Sequence, residues 1–197
     1  MSDKKYKFLS QPRRVVEDRR FVVGKGRYIA DYDHADMAHV ALLPCHLPAA
    51  TIDDIDTSAA LAMPGVIDVV TGAELAAAIG PLMNGLDTPN VRRYPLAVGQ
   101  VRYAGEWVCA VIAESRAVAE DAAEKIRLQT TALPFVLNPE QALREDSPPV
   151  HPEHQSNVLL DKQFVSGSVD DDFAKADHQL SFSVVWGRNS TVPIETF

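Results

Sequence analysis

QVRYAGEWVCAVIAESRAVAEDAAEKIRLQTT, residues 100–131, divides into three pieces. Residues 101–103 read as a short strand that turns at Ala104 and Gly105. Residues 107–113 (WVCAVIA) form a nearly unbroken apolar run of strand length. That is the pattern of a strand covered on both faces, as in the middle of an α/β sheet. Ser115 can cap a helix N-terminus, and residues 116–125 are rich in Ala and Glu, which favour helix. Helical spacing places Val118, Ala119, Ala122, Ala123 and Ile126 on one face, with Glu120, Asp121, Glu124 and Lys125 on the other. Residues 126–131 alternate as a strand does. The expected unit is strand–helix–strand, and the rest of the first half can fold onto it.

Upstream, residues 1–20 are polar and read as an extended arm. Residues 21–28 (FVVGKGRY) contain G-x-G but lack the third glycine and the following helix of a dinucleotide fingerprint, so a glycine turn is the better reading. Residues 38–43 predict a strand ended by Pro44, and residues 52–55 a short alternating strand. A short helix over 57–62 should stop at Met63-Pro64-Gly65, before an apolar strand at 66–70. Thr71 and Glu74 have capping-box spacing, and their helix should run to Ile79 and end at Gly80-Pro81. Residues 82–100 carry Asn84, Gly85, Asp87, Pro89, Asn90, Pro95 and Gly99 and read as a loop. Its length suits a functional segment or one that a partner orders.

Downstream, Asn138-Pro139 starts a short helix through Leu143, with Pro in its favoured first-turn position. Pro148-Pro149-Val150-His151-Pro152 reads as a stiff surface linker and marks a boundary. Pro152 disfavours a helix that would set His151 and His154 on one face as metal ligands. Residues 170–176 predict a short acidic helix, and residues 178–186 (HQLSFSVVW) a strand. Such a strand would need covering, because its edge and apolar side chains would otherwise stand in water. The expected organisation is an arm (1–20), an α/β domain (21–147), and a linker with the incomplete opening of a further domain (148–197).

At 197 residues the chain can bury a real core, and 46% hydrophobic with 23% charged residues is ordinary for a soluble globular protein. A net charge of −8 argues against nucleic-acid and anionic-membrane partners, which need a concentrated basic patch. The paired arginines at 13–14 and 19–20 lack the apolar run of an export signal, and no stretch approaches a membrane span, so the expected location is cytoplasmic. Two cysteines, Cys45 and Cys109, are too few for an iron–sulfur cluster and read as buried small hydrophobes.

Four stretches carry a resemblance: VVEDRRFVVGKGRYIAD (15–31), IDTSAALAMPGVIDVVTGAEL (55–75), VRYAGEWVCAVIAESRAVAEDAAEKI (101–126), and FAKADHQLSFSVV (173–185) with NSTVPIETF (189–197). In order and spacing they resemble the N-terminal part of the molybdopterin-bearing large subunit of the molybdenum hydroxylases, the xanthine dehydrogenase, aldehyde oxidase and carbon monoxide dehydrogenase group. The resemblance implies an α/β hammerhead-type mixed sheet with covering helices up to about Ala132. The opening of the cofactor-binding region follows and continues in a partner chain. It also implies a complex that oxidises an aldehyde or N-heteroaromatic compound with water-derived oxygen. Molybdopterin, 2Fe-2S clusters and FAD would be carried by a larger molybdopterin-binding chain and by iron–sulfur and flavin subunits. This chain shows Gly105-Glu106-Trp107 where many relatives have proline third. The catalytic glutamate and pterin contacts of the family lie beyond the position of Phe197, so no catalytic, cofactor or metal residue is assigned here. Glu106, Trp107, Pro193 and Glu195 are candidates for an interface or substrate channel. A separate gene and a processed piece of a longer subunit both fit this reading. The rival class is a free-standing binding or assembly protein that keeps the fold without activity.

Overall fold

The computed structural model describes Phe8 and residues 12–82 and 91–187. It divides into two compact units, Asp36–Leu180, and Met1–Ala35 with Ser181–Phe197.

The larger unit is built from two three-stranded sheets. In the first, β5 (Glu106–Ala113) lies between β1 (His39–Cys45) and β3 (Val66–Thr71). In the second, β2 (Ala50–Asp56) lies between β4 (Gln100–Val101) and β6 (Arg127–Ala132). A mixed sheet was expected, yet every pairing among the described residues is antiparallel. The helix α4 (Arg116–Ala123) does not return the chain to the sheet it left. It carries the chain from β5 in one sheet to β6 in the other.

The apolar run of β5 takes the central place its composition demands. Cys109, Val111 and Ala113 are fully buried with Val69 of β3 and Ala122 and Ala123 of α4. Val101, Ala60 and Ile126 complete a core to which Ile52, Ile55 and Leu128 of the second sheet pack. Alanine at 119 and 122 leaves room for α4 to lie against β1 and β5. The opposite face of β5 is only partly covered: Ala110 and Ile112 are half-buried, and Val40 on the neighbouring strand is exposed.

The helix ends follow the sequence closely. Ser115 Oγ accepts the Val118 N–H at 3.3 Å. At α3 (Gly72–Ile79) the Thr71 hydroxyl accepts from the Glu74 N–H while the Glu74 carboxylate accepts the Thr71 N–H at 2.8 Å. Asn138 Oδ1 caps α5 (Pro139–Ala142), accepting the Gln141 N–H at 2.7 Å. The short helix α2 (Ser58–Leu61) stops before Gly65, whose φ of +85° suits glycine.

Three expectations are corrected. Pro44 does not end β1, which runs on to Cys45 with an irregularity between Leu43 and Pro44. An edge strand tolerates the missing N–H where a central one would lose a ladder bond. The strand expected to reach Tyr103 ends at Val101. Residues 178–186 belong to no strand pairing among the described residues. An isolated strand has no backbone partner, and alternation alone does not supply one. Before it, α6 (Val169–Lys175) forms with three aspartates in its first turn, where the helix dipole favours them.

In the smaller unit, α1 (Asp18–Val22) is exposed and carries an Arg20–Glu17 ion pair at 2.7 Å that water screens. The expected glycine turn is present at Gly24, φ +70°, and Phe21 stacks on Tyr28 with ring centroids 6.0 Å apart.

Candidate functional site

Two of the four candidate residues open β5. The turn before them is fixed by Gly105, whose φ of +89° few side chains tolerate and whose N–H donates to the Cys45 carbonyl at 2.6 Å. Glu106 folds its carboxylate back over this turn, accepting the Arg102 N–H at 2.5 Å. Burial raises the Glu106 carboxyl above the usual range, opposed by the hydrogen bond and charge of Arg102. Tyr103 is raised in turn by burial and by the neighbouring Glu106.

Trp107 pairs with Pro44 and is 39% exposed. Its carbonyl accepts the Ala97 N–H at 2.7 Å, which ties the end of the 91–100 segment to β5. The tryptophan at this position therefore keeps the turn and ladder intact while presenting an indole at the surface. Neighbours on a strand point to opposite sides. Glu106 and Trp107 thus serve different surroundings and do not converge. Pro193 and Glu195 lie outside the described residues, as does 83–90 of the long loop. The described end of that loop is packed within this chain: Leu96 and Ala97 are only 3% and 4% exposed.

The structure adds a group that sequence reading missed. His151 was expected in a surface linker, but its side chain is only 13% exposed. Its Nδ1 sits 3.5 Å from Glu153 Oε1. Burial and the positive charge of Arg102 hold the His151 imidazole below its ordinary range. The linker is pinned by Asn157. Its Oδ1 accepts the Val150 N–H at 2.9 Å, and its Nδ2 donates to the Ala142 and Pro148 carbonyls, both at 3.1 Å. Arg102, with Glu106 on one side and His151 on the other, forms a half-buried polar group whose members come from segments well separated in the sequence. Only weak local hints point to it: a histidine within the Pro-rich run 148–152 and an Asn at 157.

Among the described residues, no three His, Cys, Asp or Glu side chains come together as a metal site. Cys45 and Cys109 are buried and unbridged, and burial pushes the Cys109 thiol up to about 11, so it stays protonated. No helix among the described residues is long and apolar enough to cross a membrane.

Residues 23–134 match the family model described as the aldehyde oxidase and xanthine dehydrogenase a/b hammerhead domain. The chain belongs to this family. The nicotine 6-hydroxylase large subunit of Paenarthrobacter nicotinovorans is 35% identical over 184 residues, covering 92% of this chain and 22% of that one. The structure of quinoline 2-oxidoreductase from Pseudomonas putida 86 superposes with a TM-score of 0.60 at 40% identity, covering 65% of this chain and 17% of that one. Aldehyde oxidoreductase from Desulfovibrio gigas gives 0.64 at 30% identity, over 80% and 18%. The hammerhead fold of molybdenum hydroxylase large subunits is thereby shown, and the chain spans about a fifth of the length of the curated relatives it matches.

Proposed function

We propose that this chain is one part of a multi-subunit molybdenum hydroxylase that oxidises an aldehyde or N-heteroaromatic substrate with water-derived oxygen. The hammerhead of residues 21–147 and the opening of the molybdopterin-binding region at 148–197 come from this chain. A larger chain carries the molybdenum cofactor and the catalytic glutamate, and further chains carry 2Fe-2S clusters and FAD. The chain is not active alone, and the complex works in the cytoplasm. Glu106, Trp107, Pro193 and Glu195 lie toward the interface or channel and shape the site without reacting.

One observation carries this reading: the chain, hammerhead domain included, matches relatives of which it spans only about a fifth. A domain normally seated in a larger body should meet that body through an extensive apolar interface. The relatives, a nicotine hydroxylase, a quinoline oxidoreductase and an aldehyde oxidoreductase, support the substrate class. Purification through a tag on this chain from its source tests it. The expected result is a stoichiometric complex with a large companion chain, containing molybdenum, iron and flavin. A solitary soluble protein that binds a small molecule unaided would refute it and favour the binding-protein reading.

A further inference from the structure

Residues 178–186 combine two properties that rarely coexist in a finished surface. The sequence alternates from Gln179 to Val184: Leu180, Phe182, Val184 and Trp186 fall on one side of an extended chain, and Gln179, Ser181 and Ser183 on the other, where Val185 is the one apolar member and is 95% exposed. Yet the four large side chains are 83%, 75%, 72% and 81% exposed. Phe, Val and Trp are among the residues that strands favour, and alternation of this kind is the mark of a strand with one dry face. The segment is also rooted. It follows α6, and Gln179 Nε2 donates to the Phe173 carbonyl at 2.8 Å.

An exposed strand-like segment of this composition is an aggregation hazard unless a sheet takes it up. Neither sheet of the larger unit includes it. Both are built from strands between His39 and Ala132. We propose that residues 178–186 are a donated strand. They add to the edge of a sheet in the molybdenum-binding chain, with Leu180, Phe182, Val184 and Trp186 turned into that chain's core and the serine side facing water. This rests on the function proposed above. Length points to the occupant: in the nicotine 6-hydroxylase large subunit the matched part is only 22% of the polypeptide, so most of that body lies outside it and can supply the edge. In this mode the backbone gives affinity, and pockets for alternate side chains give selectivity.

The test uses the tagged complex isolated from its source and the free chain in dilute solution. Amide hydrogen exchange is followed over 178–186, with molybdenum measured in the purified material. Adding a strand to one edge bonds every second N–H of the segment, so alternate amides should slow at least about 100-fold in the complex, a protection that grows with the free energy of the pairing. Phe182→Asp and Val184→Asp should each lower recovery of the molybdenum-containing chain at least tenfold. Ser181→Asp and Ser183→Asp should leave it within twofold. All four variants should keep the free chain's urea midpoint, because these side chains are exposed there. A molybdenum-containing complex in which 178–186 exchanges as fast as in the free chain, and in which the Asp variants assemble normally, overturns the donated strand and leaves the proposed function standing. Protection found instead in a dimer of this chain alone overturns it in favour of self-pairing. Absence of any molybdenum-containing companion removes the proposed function and this inference together.

Discussion

Gly72 is the position where a single added carbon does most damage. A Cβ built there would lie 1.9 Å from the Ala97 carbonyl oxygen and 2.8 Å from its carbon. The obstacle is backbone, so no side chain can swing aside. To reach even 3.0 Å, the shortest approach real Cβ atoms show, α3 and the 91–100 segment must part by more than an ångström. That movement strains the Ala97 N–H···O=C Trp107 bond of 2.7 Å and opens the packing of Leu96 and Ala97. Overpacking of this kind costs about 1–3 kcal/mol, and a buried hydrogen-bonding group left unmet adds roughly 1–3 kcal/mol. Gly72→Ala should therefore destabilise the domain by about 3 kcal/mol, a fall in Tm of roughly 6–12 °C for a chain of this size. Pulse proteolysis across a urea series works at low protein concentration and gives the shift in midpoint. Hydrogen exchange should show Ala97 opening with it. Gly80→Ala is the contrasting variant: nothing lies within 4 Å of the added carbon, and its cost of roughly 1–3 kcal/mol comes only from a backbone at φ +71° and ψ −173° that is almost glycine's alone, so exchange at Ala97 should not change with it. If Gly72→Ala matches wild type in urea midpoint, or leaves exchange at Ala97 as it is in wild type, the close approach of α3 to the 91–100 segment is wrong.

Thr71→Ala removes half of the reciprocal cap on α3 and should cost about 1 kcal/mol, read as a lower urea midpoint with unchanged slope. Asn157→Ala frees the Val150 N–H and two carbonyls at once; roughly 2–3 kcal/mol of local stability should be lost, seen as faster protease cleavage between residues 143 and 158. Two groups give opposite pH dependences. The Glu106 carboxyl is raised by burial, so its contribution is present below the unfolded value of about 4.3 and lost as pH rises through the folded value. Glu106→Gln keeps an acceptor for the Arg102 N–H and removes that loss. Its advantage over wild type in urea midpoint should grow from pH 4 to pH 7. The His151 imidazole is depressed by burial and Arg102, so its contribution is present above about 6.5 and lost as pH falls through the folded value. His151→Gln should lessen the acid-side loss seen in wild type between pH 6.5 and 5.

What the sequence determined by itself was everything written in local chemistry. Ser115, Thr71 with Glu74, and Asn138-Pro139 announce helix starts because a cap satisfies N–H groups within three residues of itself. The apolar run of β5 announced a central strand because only a covered strand can afford so little polarity. The likeness to molybdenum hydroxylases was legible for the same reason, since these local patterns recur in a fixed order along the chain. Tertiary structure alone decided the rest. Strand–helix–strand is compatible with one parallel sheet or with two antiparallel ones, and only the shared core chose the latter. Pro44 inside a strand became acceptable once β1 took an edge. The burial of His151 and the need for Gly72 arise from groups far apart in sequence and close in space. Residues 178–186 show the limit most clearly: alternation specifies which side of a strand is dry, but a strand forms only where another backbone is present to bond it.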